Sequence, residues 1–147
     1  MTTFYASASD GVDNAVGAVA LGDAAVRSGK VHAVTSVIDL AAKTVLNGDT
    51  IVWGRLPKGA VPLVALLVTG TSLGSATIDL GTNATAAKFK AAGTFTATDT
   101  PTPFMKSSAI GVAETDGRVL QSVIATANLP TTGKLAVVFL YTTPHSG

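Results

Sequence analysis

The sequence predicts an all-β domain, an antiparallel β-sandwich of jelly-roll or immunoglobulin-like type, preceded by an extended N-terminal arm. From Val31 onward the chain is rich in β-branched residues, alternates apolar with polar positions, and carries turn residues about every ten positions. Hardly any segment has the spacing of an amphipathic helix. The length of 147 residues suits one domain with an arm. We therefore expect an arm at residues 1–30 and a β-sandwich domain at residues 31–147.

The expected arm is dominated by Ala, Gly, Ser, Val and Asp. A short helix over residues 14–27 is conceivable, but Gly17 and Gly22 weaken it, because each interior glycine costs about 1 kcal/mol relative to alanine. Two interpretations stay open at this point. The arm either takes its conformation from a neighbouring chain or is a flexible tail.

The strands of the domain are expected in the following order. Residues 31–38 alternate, with Val31, Ala33, Thr35 and Val37 on one face of the strand. About seven short strands are expected in all, the others at 50–55, 62–69, 76–80, 118–126 and 134–142, with one edge strand around Phe95. We expect one helical turn or an irregular link at 84–92, and an exposed Thr/Pro-rich loop without a burial pattern at 93–106.

Two of these segments, 62–69 and 134–142, are apolar on both faces. This pattern is typical of strands in the middle of a sheet that has another layer over its outer surface. We therefore expect both strands to be central, and we expect the outer face around 62–69 not to be wet.

The composition excludes several classes of function. Charged residues make up 13% of the chain, against about 25% in average globular proteins, so much of the surface is expected to face other protein. Ten Lys and Arg against nine Asp and Glu leave no basic stripe for nucleic acid. The absence of cysteine removes disulfides, thiolate nucleophiles and Cys-ligated metals. No signal sequence or segment long enough to span a bilayer is recognisable, and we expect synthesis in the cytoplasm.

Few residues suggest catalysis or metal binding. A metal site built on imidazole needs both His32 and His145 together with carboxylates. Strand geometry places His32 and Ser36 about 13 Å apart on one face, too far to share a proton. Residues 79–83 offer oxygen atoms at alternating positions but lack the distal bidentate acid of an EF-hand, so a strand end is preferred to a calcium site.

Glu114 and Asp116 are near neighbours in a Thr-Asp-Gly turn. Paired carboxylates can perform acid–base chemistry when burial separates their pKa values, but we interpret both as solvated turn acids. The sequence therefore predicts a protein that is not an enzyme and binds neither a cofactor nor a metal.

Aromatic and basic residues are the candidates for partner binding. Trp53 is the sole tryptophan and is either a core or an interface anchor; the core is favoured because large aromatics are scarce, and Arg55 is expected on the opposite face. The full set of candidate partner-binding residues is Phe4, Tyr5, Arg27, Trp53, Phe95 and Phe104.

Residues 45–51, Val-Leu-Asn-Gly-Asp-Thr-Ile, and 56–60, Leu-Pro-Lys-Gly-Ala, resemble the small head decoration or cement proteins of tailed bacteriophages. In that family a strand with Leu-Asn, Asp and Ile in this order leads to an L-P-K-G-A turn. The resemblance continues through residues 77–81 and 133–142, and it covers roughly residues 45–142.

This resemblance implies a sandwich or jelly-roll subunit on the outside of an icosahedral shell. It implies binding to the major capsid protein and self-association as a dimer or trimer, with the virion exterior as its location. The long N-terminal arm, also termed the leader below, and the Thr/Pro-rich segment depart from that pattern. The alternative is a carbohydrate- or receptor-binding module of a phage tail or spike, although an aromatic content of 5% argues against a glycan groove.

Overall fold

The computed structural model describes residues 30–143, which form two antiparallel sheets packed face to face. In chain order the strands are β1 (Val31–Asp39), β2 (Thr50–Leu56), β3 (Val61–Thr69), β4 (Thr77–Thr82), β5 (Lys90–Thr94), β6 (Thr102–Pro103), β7 (Arg118–Ala125) and β8 (Lys134–Thr142). A 3-10 turn, Ser107–Ala109, lies between β6 and β7. The predicted all-β sandwich is thus confirmed for the described residues.

The strand order identifies the type of sandwich. One sheet, termed sheet A, has the order β1-β8-β3-β6, and the other, sheet B, has the order β2-β7-β4-β5. Every connection except the one from β4 to β5 passes from one sheet to the other. This is the double-sheet arrangement of a jelly roll, so the jelly-roll alternative is the correct one. Strands β3 and β8 are the inner strands of sheet A, as predicted from their apolar residues on both faces.

Aromatic rings join the two sheets in the core. The ring of Phe139 in β8 packs edge to face on Phe89, with centroids 5.1 Å apart. Phe95 and Phe104 make a similar contact at 5.4 Å. In each pair one ring lies beside β5 in sheet B and the other lies in or beside a strand of sheet A. Such pairs contribute about 0.5–1.5 kcal/mol beyond the area they bury, so they fix how the sheets lie on each other.

The segment 84–106 differs from its prediction in two ways. Residues 90–92, expected as part of a helical turn or a link, belong to β5. The expected loop at 93–106 is anchored at its ends by Phe95 and Phe104, which are buried, and Phe104 N donates to Ala65 O at 2.8 Å. Only its middle, residues 96–101, is exposed throughout. The edge strand expected around Phe95 corresponds to β5, which lies at the edge of sheet B and ends one residue earlier, at Thr94. Strand β6 has only two residues, too few for alternation to reveal it.

A bulge in β2 explains the positions of Trp53 and Arg55. Strict alternation would place residues 53 and 55 on the same face. The register between β2 and β7 shifts between Val52 and Gly54, and the extra residue lets Trp53 point into the core while Arg55 is exposed. The expectation that these two side chains lie on opposite faces is confirmed.

Candidate functional site

The outer face of sheet A carries the most unusual surface among the described residues. Antiparallel partners share a face of their sheet, and the buried side chains of Ala65, Leu67, Leu135, Val137 and Phe139 mark the inner face. The alternate residues therefore point outward. They form one continuous surface, termed the apolar face, made of Val31, Ala33, Thr35 and Val37 in β1, Val64, Leu66 and Val68 in β3, and Ala136, Val138 and Leu140 in β8.

Every side chain of the apolar face is exposed or half-buried. Val31 is 62% exposed, Val37 58% and Val64 37%. An antiparallel sheet normally presents polar side chains on the face that meets water, and here Thr35 supplies the polar group among these side chains. Contiguous apolar surface of this kind marks contact sites for proteins or ligands. The predicted covering layer over β3 is not supplied by residues 30–143.

The outer face of sheet B can be compared with the apolar face within the same domain. There the register places Thr50, Val52 and Arg55 of β2 beside Val123, Gln121 and Val119 of β7. Polar and charged groups alternate with valine, as expected of a solvated sheet. The apolar character of the sheet A face is therefore a property of that face and not of the whole surface.

The predicted partner residue Trp53 lies in the core. It is 5% exposed, and its indole Nε1 donates to Ser122 Oγ at 2.7 Å. The interpretation of Trp53 as a core anchor is confirmed. Phe95 and Phe104 are also buried. Direct contact of these three rings with a partner stays a prediction, as it does for Phe4, Tyr5 and Arg27, which lie outside the described residues.

Glu114 is not the solvated turn acid that the sequence predicted. Its side chain is 3% exposed and lies 2.7 Å from Lys88 Nζ. Its backbone N donates to Ala60 O at 2.8 Å, and its carbonyl accepts from Gly59 N at the same distance. Glu114 thus ties the loop before β7 to the turn between β2 and β3. Asp116, 62% exposed and paired with Arg118 at 3.2 Å, is solvated as predicted.

The buried and exposed ion pairs are expected to differ in strength. Replacing Lys88 by Met leaves the Glu114 carboxylate without its cation, and we expect the free energy of unfolding to fall by about 1–3 kcal/mol. A double-mutant cycle of Lys88→Met with Glu114→Gln should give a coupling energy above about 1 kcal/mol, against about 0.5 kcal/mol or less for Arg118 and Asp116. Urea unfolding measures both. Equal coupling energies would show that Glu114 is as solvated as Asp116.

Two residues considered for catalysis or metal binding, His32 and Asp79, have structural partners, whereas His145 lies outside the described residues. His32 stacks on Tyr141 with ring centroids 5.3 Å apart. Asp79 belongs to β4, and its Oδ1 accepts from Val123 N at 2.7 Å. Within residues 30–143 no group of three or more His, Asp or Glu side chains is arranged to hold a metal ion. In the same range no helix has the length and apolar character needed to cross a membrane.

A groove of about 380 Å³ opens where the edges of β1 and β2 meet. Its lining includes Ile38, Lys43, Val45 and Asp49. The Asp49 carboxylate accepts a hydrogen bond from Leu46 N at 2.8 Å and so stabilises its own turn. The groove therefore adds no convergent set of reactive groups to the apolar face.

Comparison with known proteins identifies the fold. No protein-family model matches the sequence, and no curated protein matches it. A solved structure, the capsid of Ralstonia phage GP4, contains a chain with a TM-score of 0.63 and 24% identity, the match covering 80% of this chain and 87% of that one.

Two further structures contain similar chains. The acid-stable capsid of Helicobacter pylori bacteriophage KHP30 gives a TM-score of 0.59 with 16% identity, covering 78% of this chain and 89% of that chain. The capsid asymmetric unit of cyanophage Pam1 gives a TM-score of 0.61 with 18% identity, covering 90% and 96%. This jelly roll is therefore a fold found in the capsids of three bacteriophages.

Proposed function

We propose that the chain is a bacteriophage virion structural protein, a decoration or cement subunit that binds the outer surface of the major capsid lattice and stabilises it. The observation that carries the proposal is the fold shared with chains of three phage capsids over most of both lengths. The apolar face supports it, because such a surface favours burial against protein. The low content of charged residues, 13%, also supports the proposal.

The proposed mechanism is static. The jelly roll is a rigid body, while the leader, residues 1–30, and the loops within 93–117 lie across partner subunits. Fixing a residue of a flexible segment costs roughly 1–2 kcal/mol of backbone entropy, which contacts to a partner must offset. Many copies on one lattice, self-associated as dimers or trimers, allow each contact to be weak, because simultaneous engagement raises the effective concentration. The subunit is made in the bacterial cytoplasm and ends on the capsid exterior.

Copy number is the most direct test. Quantitative mass spectrometry of purified virions should find this chain in numbers comparable with the major capsid protein. A few copies per virion would contradict a lattice role and favour a tail or spike part. Binding of the purified chain to heads that lack it, followed by co-sedimentation, should saturate at the same ratio.

Removal of the leader tests how the chain holds the shell. We expect a variant lacking residues 1–28 to keep its fold, because the described sandwich begins at β1, and to be retained on heads more weakly than the full chain. Circular dichroism measures the fold, and co-sedimentation with purified heads measures retention. If truncated and full-length chains are retained equally, the leader has no part in binding.

The carbohydrate-binding alternative has less support. The four phenylalanines of residues 30–143, together with Trp53, are buried, whereas sugar sites use exposed rings. A glycan array separates the two functions: specific binding to one class of glycan would favour the tail or spike module.

A further inference from the structure

We propose that the apolar face is the surface through which two copies of this chain associate, sheet A against sheet A. This inference rests on the self-association included in the proposed function and names the surface and its symmetry. Three properties of the face point to a second copy as its occupant: its charge, its shape and its size.

The charge on the face suits an identical partner. At one end of the face the register pairs Asp39 of β1 with Lys134 of β8, one acid with one base. Within residues 31–38 and 135–141, the strand positions that point outward are apolar except for Thr35. Two copies can therefore approach without like-charge repulsion when the two-fold axis runs across the strands at Val138, because this symmetry places the Asp39 and Lys134 pairs of the two copies at opposite ends of the interface.

The shape of the face also suits an identical partner. Sheets that pack on sheets keep their strands within about 30° of each other, with the side chains of the two faces interdigitating. Two copies of one sheet have the same twist, so they meet this condition without adjustment. Val138 lies at the centre, with Thr35 beside it on β1 and Leu66 beside it on β3. A residue near a two-fold axis meets its own counterpart, so Val138 is placed to contact Val138 of the second copy.

The size of the face is close to what an interface needs. At about 3.4 Å per residue and 4.8 Å per strand, β1, β8 and β3 cover roughly 30 by 14 Å, or roughly 400 Å² per copy in projection. Side-chain relief raises the accessible area, so two copies approach the roughly 1,000 Å² of a specific interface. Face-to-face stacking uses the whole surface on both partners. It therefore produces a dimer and leaves no equivalent face for a third copy.

The test compares a lysine at the centre of each outer face. Val138 in sheet A and Val123 in sheet B are both valines on inner strands, both point outward and both are half-buried. In the full chain, Val138→Lys should weaken dimerisation about 100-fold, as an unpaired buried charge does in an apolar interface. Val123→Lys should change it less than about threefold. Analytical ultracentrifugation measures the dissociation constants, and thermal unfolding shows that both variants are folded.

Cross-linking gives a second measurement that does not depend on weakening the fold. The chain has no cysteine, so Val138→Cys introduces a single thiol. Mild oxidation should link two copies of this variant, whereas Val123→Cys should stay unlinked. A dimer that survives Val138→Lys and does not cross-link through Val138→Cys uses another surface, and the inference is then wrong.

The remaining outcomes also decide. A full-length chain that stays monomeric at high concentration overturns the inference. In that case hydrogen exchange can identify the leader as the occupant of the face, if the protection of β8 amides is lost when residues 1–28 are deleted. If Val138→Lys leaves the association state unchanged but abolishes retention on heads, the face binds the capsid lattice, and the proposed function stands without the inference. A low copy number in virions combined with a dimer that depends on Val138 would support the inference and contradict the proposed lattice role.

Discussion

Replacing Trp53 by Ala should lower the free energy of unfolding by about 3–5 kcal/mol, as loss of a large buried aromatic does. The indole fills the core beneath the bulge in β2 and donates to Ser122 Oγ, a group with no exposed area of its own. Trp53→Phe keeps most of the volume but leaves that hydroxyl without its donor, which should cost about 1–3 kcal/mol. Urea unfolding followed by circular dichroism measures both variants.

Val52 gives the matched control for this experiment. It precedes Trp53 in the same strand but is 59% exposed, so Val52→Ala should change stability by about 0.5 kcal/mol or less. The opposite pattern would also be informative. If Trp53→Ala left unfolding unchanged and reduced retention on phage heads, the side chain would act as the partner anchor that the sequence also allowed.

The sequence predicted the positions of the inner strands because the reason for them is local. A strand that is covered on both faces and flanked by neighbours is apolar along its whole length, and 62–69 and 134–142 both show this pattern. The same pattern indicated the candidate site, because strands that are apolar on both faces require a layer over the outer face of sheet A. The sequence does not say which chain supplies that layer, because any apolar surface satisfies the requirement.

Other features could not be predicted from the sequence because they depend on contacts between residues that are distant in the chain. Glu114 and Asp116 have similar neighbours in the chain, yet Glu114 is buried because Lys88, 26 positions away, reaches both of its carboxylate oxygens, at 2.7 and 2.9 Å. The Thr-rich context of Phe95 and Phe104 likewise suggested exposure. Their rings are buried because the chain between them crosses from sheet B to sheet A. Neither fact follows from periodicity.

Gly81 shows why a residue assigned to a turn can be essential to a strand. The sequence predicts that a strand ends at Leu80, but β4 continues through Gly81 to Thr82. The following loop folds back over it: Thr82 N donates to Thr85 O at 2.9 Å, and Phe89 N donates to Leu80 O at 2.8 Å. A Cβ on Gly81 would lie 2.6 Å from the backbone of both Thr85 and Ala87, closer than real contacts allow.

Gly81→Ala should therefore be strongly destabilising, by about 3 kcal/mol, at the upper end of what overpacking usually costs. The obstructing atoms are backbone, so either β4 leaves its place in the core or the loop moves and carries Phe89 away from Phe139. Gly93→Ala is the matched control, because a Cβ there meets a single atom at 4.0 Å; it should be neutral within about 0.5 kcal/mol. Thermal and urea unfolding of both variants measure the difference. If Gly81→Ala were as stable as Gly93→Ala, the loop would not pack on β4 as described, and the pairing of Lys88 with Glu114 would lose its structural basis.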